Sequence, residues 1–346
     1  MSGIEKIDKN FKIRTDIKKD DIKFYDAENP LFKTYGVYKE DGKYRRMPEK
    51  VAKKVSKDVF NLHHRTSGGR VKFVTNSKYI VIKAEIVDML KMSIFALTGS
   101  AGFDLYADNE FVMPFIPPYE TEDGYESIIE FEEEKEREIT INMPLYTGVG
   151  KFYIGLQEGA YIKAPKPYIN EKPIVFYGSS ITQGGCATRP GMSYQNILSR
   201  KLNIDYINLG FSGSAKAEDE IAEYIKDLDM SIFVYDYDYN ANTVEELLAT
   251  HEKMFKKIRE ANKDLPIIMM SRPKYNLTDV EQKRLEIIKT TYENAINSGD
   301  KNVYLIDNKM LTAICKGDGT VDGCHPTDFG FFSMAQAVGD VIEKLI

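Results

Sequence analysis

From about residue 20 to residue 160 the apolar residues come in short β-branched and aromatic runs separated by turn residues, the pattern of an antiparallel sandwich or barrel. Residues 71–75 and 79–86 alternate on either side of Asn76 and Ser77, and residues 103–106, 127–131 and 138–142 continue the series. The charged run 132–137 falls between two of these strands and predicts a solvated hairpin tip. Residues 161–173 contain three prolines and little apolar periodicity, which predicts a linker. Beyond it the rhythm changes. Strand-like runs at 173–177, 206–209, 231–235, 266–270 and 303–307 alternate with helical stretches, which implies a parallel sheet covered on both faces. Two helices mark their own starts, because Thr243-Val244-Glu245-Glu246 and Thr278-Asp279-Val280-Glu281 fit the capping box, and Thr327 caps the final helix. The expected organisation is an N-terminal β-sandwich over residues 1–165 and an α/β unit over 166–346.

Composition narrows the function classes. A chain of 346 residues exceeds the usual size of one core, in keeping with two units. Its net charge of -6 gives no reason to expect nucleic acid or an anionic bilayer as partner. The first nine residues carry charges where a signal peptide needs an apolar run, so the expected location is cytoplasmic. Three cysteines, Cys186, Cys315 and Cys324, suit reduced thiols better than a disulfide framework, although Cys315 and Cys324 could approach each other. The absence of tryptophan leaves any sugar-stacking surface to tyrosine and phenylalanine.

In an open parallel sheet, ligands collect at the carboxyl ends of the strands. Each polar cluster of the second unit falls at such an end: Ser180, then Ser212-Gly213-Ser214, Asp238-Tyr239-Asn240 and Ser271-Arg272, with Asp322 and His325 before the last helix. A serine hydroxyl needs a base to take its proton, and the base needs a partner that fixes its tautomer. Asp322 and His325, three residues apart on one loop, can supply both to Ser180. The amides of Ser180 and Gly213 and the side chain of Asn240 are candidate donors for an oxyanion. No metal or organic cofactor is called for.

These segments, in this order, resemble the blocks of the SGNH (GDSL-type) hydrolases. Ser180 in Gly178-Ser179-Ser180-Ile181-Thr182 matches the nucleophile, Gly213 and Asn240 the oxyanion donors, and Asp322 with His325 the Asp-x-x-His block. Ser179 stands where the family usually has aspartate, and Asp238-Tyr239-Asn240-Ala241 replaces the usual Gly-x-Asn-Asp, which leaves Asn242 as a second candidate donor. The resemblance implies a flavodoxin-like three-layer α/β/α domain. The upstream unit, through residues 66–73, resembles the jelly-roll module of members that look like carbohydrate O-acetylesterases. A small acylated carbohydrate is then the expected partner, and a homo-oligomer is compatible with the sequence. The competing readings are an idle carbohydrate-binding protein and a lipase- or thioesterase-like acylhydrolase for longer chains.

Other residues have plainer readings. His63 and His64, taken as neighbours on a strand, point to opposite faces and do not share a metal ion. His251 reads as a helix-surface residue and Cys324 as a packing residue. Tyr235, Tyr237 and Tyr239 read as three rings on one strand face, with Tyr239 a candidate sugar wall. Arg272 either contacts substrate or pairs with Asp236 or Asp238.

Overall fold

The computed structural model describes Thr15 and residues 17–346; the charged stretch read at residues 1–9 lies outside them. Two antiparallel sheets share one core in the N-terminal half. The first has the spatial order Ile22–Asp26, Gly148–Gln157, Tyr79–Val87, Gly124–Glu130. The second runs Ile162–Lys163, Arg70–Thr75, Arg137–Asn142, Phe103–Ala107, Glu110–Phe115, with Lys33–Tyr35 also paired to Arg70–Thr75. Strand alternation fills the space between them with Phe73, Ile82, Leu105, Ile139, Ile141 and Ile154, while Lys83 and Glu85 face solvent. The loop 131–136 is exposed as expected, but it is not a hairpin tip. It leaves the first sheet after Glu130 and enters the second at Arg137, so it crosses between sheets.

This half is β-rich rather than purely β. Glu49–Val55 and Lys57–Leu62 are helices, the second capped by Ser56, whose hydroxyl accepts from the Val59 amide at 3.1 Å. His63 is the C-cap of the second helix, so His63 and His64 lie at a helix end and not on a strand.

The C-terminal half is a three-layer α/β/α unit. Its five parallel strands, Ile174–Gly178, Tyr206–Gly210, Ile232–Asp236, Ile267–Met270 and Val303–Ile306, lie in the order 2-1-3-4-5, the flavodoxin-like arrangement. Both faces are buried. Val175, Tyr177, Phe233 and Tyr235 pack under the helices Asp219–Lys226, Val244–Ala261 and Asp279–Asn297. Ile174, Phe176, Ile232 and Val234 pack under Tyr194–Leu202 and Asp328–Ile342. Thr278 and Glu281 form a full capping box. At Thr243 only the hydroxyl half forms, because the Glu246 carboxylate turns to the Asn242 amide at 2.7 Å.

The two halves meet along the edge strand Tyr206–Gly210. An edge strand presents unpaired carbonyls, and here two buried arginines of the β-rich half satisfy them. Arg46 donates to the carbonyls of Asn208 at 3.0 Å and Gly210 at 2.6 Å. Arg70 donates to the Tyr206 carbonyl at 3.3 Å and to Asp205 Oδ1 at 2.5 Å. Met47, Ala52, Val55, Val59 and Leu62, from the two early helices and the segment just before them, belong to the core of the α/β half.

Candidate active site

Register places the site. Gly178 pairs with Gly210 on one side and with Asp236 on the other, so three strands end in one row. A side chain at Gly178 would meet the Asp236 carbonyl at 2.1 Å, and one at Gly210 would meet the Gln183 amide at 2.2 Å, so both positions require glycine. Just beyond that row stand Ser180, Gly213 and Asn240.

Ser179 ends the extended backbone and accepts a hydrogen bond from the Ile181 amide at 3.1 Å, capping the short helix Ser180–Gln183. Ser180 is therefore the first helical residue, and its amide has no intrahelical acceptor. The residue is 8% exposed. The Ser180 Oγ lies 2.9 Å from His325 Nε2, and His325 Nδ1 lies 2.8 Å from Asp322 Oδ2. A carboxylate only accepts, so Nδ1 carries the proton and Nε2 is left to accept from the serine hydroxyl.

The loop that carries the last two groups is fixed from within. Asp322 Oδ1 accepts from the amides of Cys324 at 2.9 Å and His325 at 2.7 Å, and the His325 carbonyl accepts from the Val321 amide at 2.9 Å. Burial pushes the Asp322 carboxyl up, but the hydrogen bonds from the His325 ring and from these amides outweigh it and hold the group below the usual carboxylate range. Burial raises both neighbouring thiols to about 11, so Cys324 and Cys186 are neutral. Cys186, Cys315 and Cys324 are all free, without the approach of Cys315 to Cys324 ending in a bond.

Gly213 sits in the left-handed region at φ 69°, exposed, and its amide has no protein acceptor among the described residues. Asn240 is buried and donates one Nδ2 hydrogen to the Phe211 carbonyl at 3.0 Å, which leaves its other hydrogen over. Asn242 lies exposed at the start of the following helix.

Of the two readings of Arg272, the structure shows the pairing with Asp238. Arg272 holds Asp238 at 2.7 and 3.0 Å and Glu281 at 2.9 Å, so its fork is occupied by carboxylates. Tyr239 lies under that guanidinium, 4.3 Å from ring centroid to Cζ, with its hydroxyl buried. Nor do the three tyrosines share a face. The strand ends at Asp236, and the turn that follows sends Tyr239 against the opposite core from Tyr235 and Tyr237. His251, expected on a helix surface, is 2% exposed, stacked on Tyr235 at 4.8 Å and bonded to Thr291 at 2.8 Å.

Residues that the pattern alone left unmarked complete the site. Tyr146, from the β-rich half, donates its hydroxyl to the Ser180 carbonyl at 3.1 Å. Gln183 accepts from the Ser212 amide at 3.0 Å and so holds the Gly213 loop against the Ser180 helix. Asp104, fully buried, accepts from Asn142 at 2.7 Å, Arg189 at 3.1 Å and the Gly191 amide at 2.8 Å, and ties down the loop that follows the Ser180 helix. Among the described residues no group of three or more His, Cys, Asp or Glu is arranged to hold a metal ion, and no helix is long and apolar enough to cross a membrane. A cleft of about 790 Å³ between the helices Val244–Ala261 and Asp279–Asn297 contains none of the groups above.

Residues 171–343, half of the chain, match the family described as GDSL-like Lipase/Acylhydrolase. The chain belongs to that family. Residues 22–162 match the family described as the N-terminus of Esterase_SGNH_hydro-type, labelled GxDLY, and this acylhydrolase carries that pattern as Gly102-Phe103-Asp104-Leu105-Tyr106. The pattern supplies the Asp104 that holds Arg189 and Gly191. A protein of Bacteroides ovatus described as a GDSL-like lipase has the same fold, with a TM-score of 0.83 and 28% identity over 94% of this chain and 98% of its own. The salicylyl-acyltransferase SsfX3 of a tetracycline biosynthetic pathway gives a TM-score of 0.77 at 18% identity over 95% and 98%. The acetyl xylan esterase Est2A of the rumen bacterium Butyrivibrio proteoclasticus gives 0.59 at 13% identity over 93% and 98%. The last two share the fold alone. No curated protein matches the chain.

Proposed function

We propose that this acylhydrolase is a serine esterase that removes a small acyl group, acetyl before longer chains, from a hydroxyl of a carbohydrate. The observation that carries the reading is the relay from Ser180 through His325 to Asp322, at 2.9 and 2.8 Å, beside the Gly213 amide and the spare Asn240 hydrogen. Ser180 Oγ attacks the ester carbonyl while its proton passes to His325 Nε2. The oxyanion that forms is received by the amides of Ser180 and Gly213 and the spare hydrogen of Asn240, each worth on the order of 3 kcal/mol in the transition state. Collapse breaks the bond to the sugar oxygen, which leaves with the proton from His325. Water then repeats the sequence on the acyl-enzyme and releases the acid. Asp322 keeps the ring in the required tautomer and stabilises the imidazolium as it forms.

The carbohydrate and acetyl parts of the reading are supported at the level of fold by the likeness to Est2A, an acetyl xylan esterase. The experiment compares wild type with Ser180→Ala on 4-nitrophenyl acetate, butyrate and octanoate and on an acetylated methyl glycoside. A loss on the order of 10³-fold or more in kcat for the variant, with acetate the best acyl group, is expected. Equal rates for the two proteins would leave a binding protein with an idle site. A rate that rises with chain length would move the reading to a lipase-like acylhydrolase.

A further inference from the structure

Two guanidinium groups of the β-rich half lie near the site, Arg46 against the strand and loop that lead to Gly213 and Arg65 over the Tyr146 ring, and among the described residues neither has a carboxylate within ion-pair distance. Arg46 spends its hydrogen bonds on the carbonyls of Leu62, Asn208 and Gly210 and packs over the Phe211 ring at 4.8 Å. It is buried and committed. Arg65 is not. Its guanidinium lies over the Tyr146 ring, 5.7 Å from Cζ to centroid, its Nε, like that of Arg46, is buried without a hydrogen-bond partner, and unlike Arg46 the side chain is only partly covered. Its nearest acidic neighbour, Asp88, is held instead by His64 at 2.8 Å.

The neighbourhood connects Arg65 to the reacting centre. The Tyr146 hydroxyl reaches the Ser180 carbonyl at 3.1 Å and lies beside the Ser212 side chain, next to Gly213. A side chain at Gly185 would meet the Tyr146 hydroxyl at 2.7 Å and the His325 ring at 3.3 Å. One aromatic ring thus lies between Arg65 and the Ser180 backbone. Two like charges with no counter-ion beside an ester site favour a substrate that brings the counter-charge. An arginine fork suits a carboxylate, which it binds through two parallel hydrogen bonds.

We propose that Arg65 is a specificity residue of this esterase, binding a carboxylate that the substrate carries outside its reacting ester. The inference rests on the esterase reading and deepens it by naming an acidic substrate class. The carboxylate has two sources, the alcohol part, as in an acetylated uronic acid, or the acyl part, as in a dicarboxylic half-ester.

Two matched pairs of substrates separate them: acetylated methyl glucuronide against acetylated methyl glucoside, and 4-nitrophenyl hemisuccinate against 4-nitrophenyl butyrate. In one pair the ratio of kcat/KM for the acidic over the neutral member should fall about tenfold or more in Arg65→Gln, the loss expected for one charge-assisted contact. Arg65→Lys should restore part of it, and added salt should lower the wild-type ratio. A purely structural role would lower both members of a pair together and leave the ratio alone. A ratio unchanged by Arg65→Gln in both pairs overturns the proposal while leaving Ser180-dependent hydrolysis intact. If wild type cleaves no ester, calorimetric binding of methyl glucuronide and of monomethyl succinate to wild type and to Arg65→Gln decides instead. Binding of one of the two that is lost in the variant supports the proposal, and equal binding, or none, overturns it.

Discussion

At the scale of single residues, the same side chain can be a reagent or a structural part, and its partners decide which. His325 and His251 are two imidazoles with opposite surroundings. His325 has a carboxylate on one nitrogen and a hydroxyl on the other, on a partly exposed loop. His251 has two tyrosine rings stacked on it and a threonine hydroxyl as its partner, and burial drives its pKa down to about 3. The burial of His251 was legible in principle. Leu247, His251, Met254 and Ile258 recur at spacings of four, three and four, which is the buried stripe of a helix, with a polar residue at one of its positions. Arg272 shows the reverse limit, since nothing in the local pattern could reveal that Glu281, nine residues on, would help Asp238 occupy its fork. A stability consequence follows for His251. The unfolded imidazole takes up its proton near pH 6.5 and the folded one only near 3, so the contribution is fully present above 6.5 and is lost as pH falls toward 3. Between pH 7 and pH 5 this amounts to about 2 kcal/mol. Urea unfolding of His251→Gln should therefore lose about that much less over the interval than wild type. An equal loss in both proteins would mean that His251 is not held neutral.

At the scale of elements, the parallel strands and their helices were readable because each fits one period. The two helices Glu49–Val55 and Lys57–Leu62 were not, although Ala52, Val55, Val59 and Leu62 carry helical spacing. Their lysine-rich faces and a surrounding run of strand-like segments hid a stripe only four residues long. The inter-sheet crossing at 131–136 could not be told from a hairpin tip, because strand pairing is a long-range choice that local alternation does not record. The loop after the Ser180 helix is likewise set from a distance. Asp104 reaches it from the strand Phe103–Ala107, accepting from Arg189 and Gly191 while Asn142 fills its other oxygen. Asp104→Asn keeps the shape but turns a donor toward groups that themselves donate, with a cost of about 3 kcal/mol for the buried network. The midpoint of urea unfolding should fall accordingly. The same variant should lower kcat on an acetate ester, because the freed loop contains Cys186 and Gly185, whose neighbours are Asp322 and Tyr146. Full stability in Asp104→Asn would show that Arg189 and Gly191 find other partners.

For the whole molecule, the question is whether the β-rich half is an appendage or part of the fold. Composition and length suggested two units with a proline-bearing linker. The seam, however, is built like an interior. The edge strand Tyr206–Gly210 has its carbonyls at 206, 208 and 210 satisfied by Arg70 and Arg46, and the Ser67 hydroxyl donates to the Gln183 carbonyl at 2.6 Å. Both faces of the parallel sheet draw on the other half as well: Met47, Val55, Val59 and Leu62 on one, Phe95, Leu145 and Tyr146 on the other. A chain cut to residues 166–346 would keep every group of the relay from Ser180 to Asp322. It would also expose an unpaired strand edge and two apolar surfaces, which is the condition for aggregation rather than folding. The expected outcome is that this fragment is insoluble or unfolds without cooperativity, whereas the full chain unfolds in one calorimetric transition. Arg46→Met tests the seam without removing it. It strips the donor from three buried carbonyls at a cost of about 3 kcal/mol or more, so the single transition should move to lower temperature as a whole. A fragment with its own sharp transition, or an Arg46→Met protein that melts in two separated steps, would establish the halves as independent. Tyr146 would then be a contact made on docking, and not a residue the α/β fold depends on to hold Ser180 in place.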